Sequence, residues 1–584
     1  MSNIYSKVAG NNPPKNLFDL SHSHFLTMKI GMLYPVLCEE CYPGDLFDLS
    51  NAVHCELQPM VAPLMTDLDM YAHTFFVPYR LIYGVDTSDG KSIWEKFITG
   101  GDDGDYATPL PAWSPNWSKT GFTSETIWDS IGNPVKYVAP AKDGDMPTWS
   151  PLVPKDLLVS KAPKLSYNFI WNEFYRDENL QEEIDLDNEH LLYASWRKDY
   201  FTSAFESQQF GTAPAIPIQG SLPVNFSGNA LFPRGFSLVF DNPSLRNAHL
   251  RVSDTDFYNF SLERRGDNSD SSLLLYNSDN PTFSHGYVDS FGGLSGFSAG
   301  SAISLKGSGN VVSFGDDGVS GSVDLASAGG QFNVSQLRLA FAIQRLLELS
   351  MTGGHRYTEY LQAHFGASPT DARLDRPEYI GGCKFPVNVS VTVQTSETAT
   401  SPQGNKAGIG NINNIEHIGR YRVQEFGLIM TLVSIRPKPC YSQGIRRNWL
   451  RQTRFDYYHP EMANLSEQQI YRAELYVDPT DTTYPDNGIF GYQAHWNELR
   501  SEMNYVSGAM REQFDYWTMT RKFGSRPALN EDFISFNHPE EYNRVWAVQN
   551  EDQFIVAWSN IIRAYRPIPA VGTPGLIDHV YGGL

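Results

Sequence analysis

Along most of the chain apolar and polar positions exchange with a period of two, in short runs cut by turns. Between residues 68 and 77, Leu68, Met70, Ala72, Thr74 and Phe76 fall on one face of an extended chain. Asp69, Tyr71, His73, Phe75 and Val77 fall on the other. Large side chains on both faces predict a strand covered on both sides. The same alternation sets Phe426, Leu428, Met430 and Leu432 against Gly427, Ile429, Thr431 and Val433, within a predicted strand at 420–439. Further strands are predicted at 384–396 and 553–569, and between 24 and 83 around a turn at Pro43-Gly44. No fixed repeat period runs through them.

One stretch switches to helical spacing. Asn333 can cap it, with Gln336 three residues on. Leu337, Ala340, Phe341, Ile343, Leu347 and Met351 then form an apolar stripe, which predicts a helix using that face for packing. Gly353-Gly354 ends it, and a second short helix is expected over 357–364. Residues 84–224 read as long loops with short helices, such as 92–100. Pro13-Pro14 disfavours helix, so the first twenty residues read as an extended arm. Residues 285–330 hold 12 Gly and 10 Ser in 46 positions, yet Ile303 and Leu305 face Val311 and Val312 around a Gly-Ser-Gly-Asn turn, as in a hairpin. The divisions are therefore 1–224 (arm, first strands, long loops), 225–332 (a β-rich surface insertion) and 333–584 (helical hairpin, remaining strands, C-terminal segment). Strands at the start, middle and end without clear linkers fit one β-sandwich with elaborate loops better than several successive domains.

Charge and composition narrow the function. A formal charge of −21 argues against non-specific nucleic-acid binding by the whole surface. Residues 333–460 run the other way, with 15 Lys+Arg against 9 Asp+Glu. Within them Arg446, Arg447, Arg451 and Arg454 interleave with Trp449, Phe455 and Tyr457. Guanidinium groups match phosphates and aromatic faces stack on unpaired bases, so Arg446, Arg447, Trp449, Arg451 and Arg454 are candidate contacts to single-stranded DNA. Arginines bridging subunits are the competing explanation. The chain has 34 Phe, 31 Tyr and 12 Trp, rings that suit strands and subunit contacts. Five cysteines, an odd number without disulfide-scaffold spacing, indicate a reducing compartment. The first residues lack signal-peptide form, and no apolar run is long enough to span a membrane, so assembly in a cytoplasm is expected.

No other motif carries chemistry. Gly-Phe-Ser-Ala-Gly at 296–300 matches the serine-hydrolase pattern without the strand-to-helix setting it needs. Cys38-Glu-Glu-Cys41 lacks further zinc ligands and reads as buried thiols. Acidic turns at 101–106 and 315–318 lack EF-hand spacing. No catalytic residue, metal or cofactor is assigned.

Several long segments resemble the major capsid proteins of gokushoviruses, small single-stranded DNA bacteriophages of the Microviridae. They are FDLSHSHFLTMKIGMLYPVLCEECYPGD at 18–45, MVAPLM at 60–65, HTFFVPYRLI at 73–82 and FITGG at 97–101. More specific are LRLAFAIQRLLELSMTGGHRYTEYLQAHFG at 337–366 and DARLDRPEYIGG at 371–382; IRPKPCYSQG and DQFIVAWSNIIRAYRPIP extend the likeness to the C-terminal end. The resemblance implies a mainly β fold, a single viral jelly roll (eight-stranded β-sandwich) with very long loop insertions and a few short helices. It also implies a T=1 icosahedral shell in the virion, and an insertion forming a threefold protrusion, for which 225–332 is the candidate and through which a host-surface receptor would be met. Implied partners are further copies of the chain, packaged single-stranded DNA and a small basic DNA-binding virion protein. The helical hairpin becomes a candidate subunit contact through Leu337, Phe341, Leu347, His355, Arg356 and Tyr357. A glycan-binding or glycan-cleaving β-sandwich protein is the alternative from another class.

Overall fold

The structure is a computed structural model. It describes residues 15–86, 90–99, 110–113, 125–133, 135–138, 148–151, 158–212, 334–354, 356–397, 402–478, 480, 488–549 and 551–571, with the strand backbones between 221 and 324. Two compact units form: 1–212 with 345–584, and 213–344.

The larger unit is built on eight strands: β1 His22–Met28, β2 Tyr34–Cys41, β3 Leu46–Leu57, β4 Leu68–Pro78, β5 Glu378–Pro386, β6 Lys406–Arg422, β7 Gly427–Pro437 and β8 Phe554–Arg566. One sheet runs β1-β8-β3-β6 and the other β2-β7-β4-β5, all antiparallel. First pairs with last, second with seventh, third with sixth and fourth with fifth. That nesting is one long antiparallel hairpin rolled into two sheets, the jelly roll. The β4–β5 connection at the centre of the chain takes residues 79–377, and the β7–β8 connection takes 438–553. Asn16–Asp19 also pairs with β8, and Asn388–Val393 pairs antiparallel with β6 at the sheet edge. From Asn16 onward the expected arm is therefore part of its own chain's sheet.

Between the sheets, alternate residues meet. Phe47, Leu49, Val53 and Cys55 of β3 and Val556, Trp558 and Ile562 of β8 are buried against Met70, Phe76 and Ile429. Two polar pairs lie inside: the Thr74 and Thr431 hydroxyls meet at 2.8 Å, and Asn560 Nδ2 donates to the Val36 carbonyl at 3.0 Å. Burial of β4 on both faces agrees with its sequence. Its second face is covered by helix α2, Ala162–Ile170, and the π-helical turn Trp171–Tyr175, with Phe75 and Phe174 ring centres 4.8 Å apart. This layer lies in a stretch read as irregular from sequence. Pro163 sits in its first turn, and its buried aromatics favour helix weakly. Helix α1, Ile93–Thr99, lies where expected.

Two predicted strands prove to be two each. The 384–396 run breaks at Pro386, and its halves enter different sheets; the 420–439 run is the end of β6, a turn and β7. In the smaller unit, the backbones of Ile303–Gly307 and Asn310–Ser313 form the expected hairpin, with Leu305 opposite Val312. Residues 296–300, 101–106 and 315–318 lie outside the described residues.

Candidate assembly and nucleic-acid interface

The helical hairpin is real: α3 spans Val334–Gly353 and α4 Tyr357–Phe365. Glycine is required between them. A Cβ on Gly353 would stand 2.5 Å from that of Ala363, and Gly354 has φ +94°. Arg356 fastens the hairpin to the sandwich. Its guanidinium lies 2.6 Å from the Glu178 carboxylate and donates to the carbonyls of Asn172 (2.8 Å), inside the π turn, and Arg176 (3.1 Å), which follows it. Arg356 therefore holds contacts within its own chain. Of the other candidates, Leu337 and Leu347 are half-buried, Phe341 is 66% exposed and Tyr357 is exposed. His355 lies outside the described residues. The predicted stripe splits: its Leu337–Leu347–Met351 edge turns inward and Phe341 turns out.

The arginine run 446–454 divides in the same way. Short 3₁₀ turns at Arg447–Trp449 and Arg454–Asp456 carry it. Arg447 Nη1 donates to the deeply buried Glu474 carboxylate at 2.8 Å and to the Gln469 carbonyl at 2.7 Å. Arg451 Nη2 donates to Glu498 at 3.0 Å, and Gln468 reaches the other Glu498 oxygen at 2.7 Å. Burial works to raise the Glu498 carboxyl, but the hydrogen bonds from Gln468 and Arg451 and the Arg447 charge hold it below its ordinary range. Arg446 stacks 4.0 Å over the exposed Tyr505 ring and lies 3.6 Å from Glu502. These pairs move the DNA-contact proposal off Arg447 and Arg451, whose charges are already met. Arg454, Phe455, Tyr457 and Tyr458 are exposed, and Trp449 is 75% exposed. Asp456 accepts the N–H groups of Gln452 (2.9 Å) and Thr453 (2.7 Å), which fixes the turn presenting them. The result is an outward run of aromatic rings with two arginines on it, Arg454 4.7 Å from the Phe455 ring centre and Arg451 5.5 Å from that of Tyr457.

Sequence reasoning missed Glu474, Glu498 and Tyr505. Nothing in their local sequence marks them; only the fold brings the long β7–β8 connection back onto the arginines. The cysteines behave as read. Cys38 and Cys41 sit on β2, three residues apart and so on opposite faces, and burial pushes the Cys38 thiol up to about 12.

An eight-stranded jelly roll with long insertions, an exposed helical face and an exposed aromatic segment is an architecture of the class to which viral coat subunits belong. The chain belongs to the capsid protein (F protein) family, whose model matches residues 6–576. It is similar to the capsid protein VP1 of Chlamydia phage 1, at 30% identity over 99% of this chain and 98% of the relative. The VP1 proteins of Bdellovibrio phage phiMH2K and Spiroplasma virus 4 are 28% and 26% identical, each over 98% of this chain and 97% of its own length. With this coverage the protein is a major capsid protein of a single-stranded DNA phage of the gokushovirus type, a virion component that assembles with itself. Among the described residues, no helix is long and apolar enough to cross a membrane.

Proposed function

We propose that copies of this chain close into a T=1 icosahedral shell around a single-stranded DNA genome, with a structural and no enzymatic role. The observation that carries this reading is the contrast between a sandwich core already complete within one chain and the apolar side chains left exposed on α3 and along 449–458. Such surfaces are kept when another chain covers them. The ridge of Trp449, Arg454, Phe455 and Tyr457 is the proposed contact to packaged DNA, since rings stack on unpaired bases and guanidinium meets phosphate. A subunit of charge −21 neutralises little of a genome, so a small basic DNA-binding virion protein or polyamines share that task. The insertion 225–332 is the proposed threefold protrusion and the part that meets a host-surface receptor. Assembly takes place in the bacterial host cytoplasm. Electron microscopy of the purified protein tests the reading: closed shells with icosahedral symmetry are expected, and soluble monomers at all concentrations would refute it.

A further inference from the structure

Helix α3 carries a second apolar face that the sequence reading passed over. Leu339, Ala342, Leu346 and Leu349 follow one another at intervals of three, four and three residues. That is the a/d spacing of a helix seam, kept through two heptads. The opposite line, Leu337, Ala340, Leu347 and Met351, is half-buried or buried. The seam is open: Leu339 is 60% exposed, Leu346 47% and Leu349 38%, and Ala342 is exposed as well. A line repeating every three and a half residues is matched by another helix of the same repeat.

We propose that this seam pairs with the α3 seam of a second copy, with the helices parallel and in register. The inference rests on the shell reading above and gives it a specific contact. Two observations commit the occupant. The chain belongs to a self-assembling coat family, so another α3 is always at hand. The flanking positions also discriminate orientation. With Leu339 and Leu346 at a, the g positions are Arg338 and Arg345, both exposed; the e positions are Ile343, which is exposed, and Ser350, which is buried with its hydroxyl 3.1 Å from His364 Nε2 of α4. Parallel helices set g beside the partner's e, which places Arg338 beside the uncharged Ile343. Antiparallel helices set g beside g and force arginine against arginine. The parallel arrangement implies a rotation axis running along the helices. Two heptads are too few to hold isolated chains together, so the pairing belongs to the assembled state.

Single-cysteine particles test this. The native cysteines are buried or half-buried, which keeps their background low. In Leu346→Cys, matching a positions face each other, and mild oxidation of intact particles should give a disulfide-linked dimer as the major band on a non-reducing gel. Gln362→Cys, exposed on α4 and off the seam, should give at least tenfold less. Microscopy of the same samples separates the outcomes. Shells without a Leu346→Cys cross-link overturn the seam while leaving the shell reading intact. Failure of the unmutated chain to form shells overturns the shell reading instead. Cross-linking of mixed Leu339→Cys and Leu349→Cys particles without homotypic Leu346→Cys linkage overturns the parallel orientation. Should Leu346→Cys fail to assemble, Leu349→Cys at the following d position provides the same reading.

Discussion

Replacing Arg447 by Met separates a structural arginine from a DNA-binding one. The Arg447 guanidinium is 2.8 Å from a Glu474 carboxylate whose side chain is 1% exposed. Two unit charges about 4 Å apart attract by about 4 kcal/mol at an effective dielectric of about 20. Removing one member of a buried pair typically costs about 3–5 kcal/mol, because the other charge remains without its partner. Tyr200 still donates to Glu474 at 2.8 Å and the Tyr471 N–H at 2.9 Å, so a loss of about 2–4 kcal/mol is expected. Burial already raises the Glu474 carboxyl, against the pull of Arg447. Without that arginine it rises further. A carboxyl raised in the folded state costs stability above its folded pKa and less below it, so the penalty in Arg447→Met should shrink as pH falls from about 8 towards 5. Urea denaturation of dissociated subunits across that range measures it, and Arg447→Met/Glu474→Gln should regain most of the loss at pH 8. A penalty under about 1 kcal/mol, independent of pH, would refute the assignment of Arg447 to internal packing.

Three further outcomes are expected. Arg521 is fully buried, donates to Glu541 at 2.8 and 3.3 Å and lies over the Trp196 and Phe533 rings; Arg521→Met alone should lose about 3–5 kcal/mol in urea melts, with much of it restored in Arg521→Met/Glu541→Leu. Burial, with Arg436 nearby, pulls His73 from 6.5 down to about 4, so the unfolded chain takes up a proton first as pH falls and stability declines between about 6.5 and 4; His73→Gln should flatten that limb by about 2–3 kcal/mol in acid titrations of stability. Arg454→Ala with Trp449→Ala should leave subunit stability within about 0.5 kcal/mol and release packaged DNA at lower salt than the wild-type particle; unchanged release would remove the ridge as a DNA contact.

Strands with a buried face were legible because period-two alternation survives any topology, as β4 and β8 illustrate. β6 was largely missed: Gly408, Gly410, Asn411, Asn413 and Asn414 give it little apolar signal, and parts of its outer face meet solvent. Pro386 separates strands of two sheets within one apolar run, a corner that periodicity does not register. The helical hairpin was legible in its boundaries but not in its burial. Spacing marks apolar lines on α3 without telling which line the chain itself covers. The arginines stood out by type, yet their partners Glu474 and Glu498 lie 27 and 47 residues further along the same β7–β8 connection and leave no local trace.

The central claim is that one chain completes its own sandwich and leaves α3 and the 449–458 ridge for other molecules to cover. Hydroxyl-radical footprinting of dissociated subunits and intact particles tests it directly. Leu339, Leu346, Leu349, Trp449 and Phe455 should be modified at least five times more slowly in particles, while buried Trp558 stays protected in both. Equal modification of the α3 leucines in the two states would contradict the account.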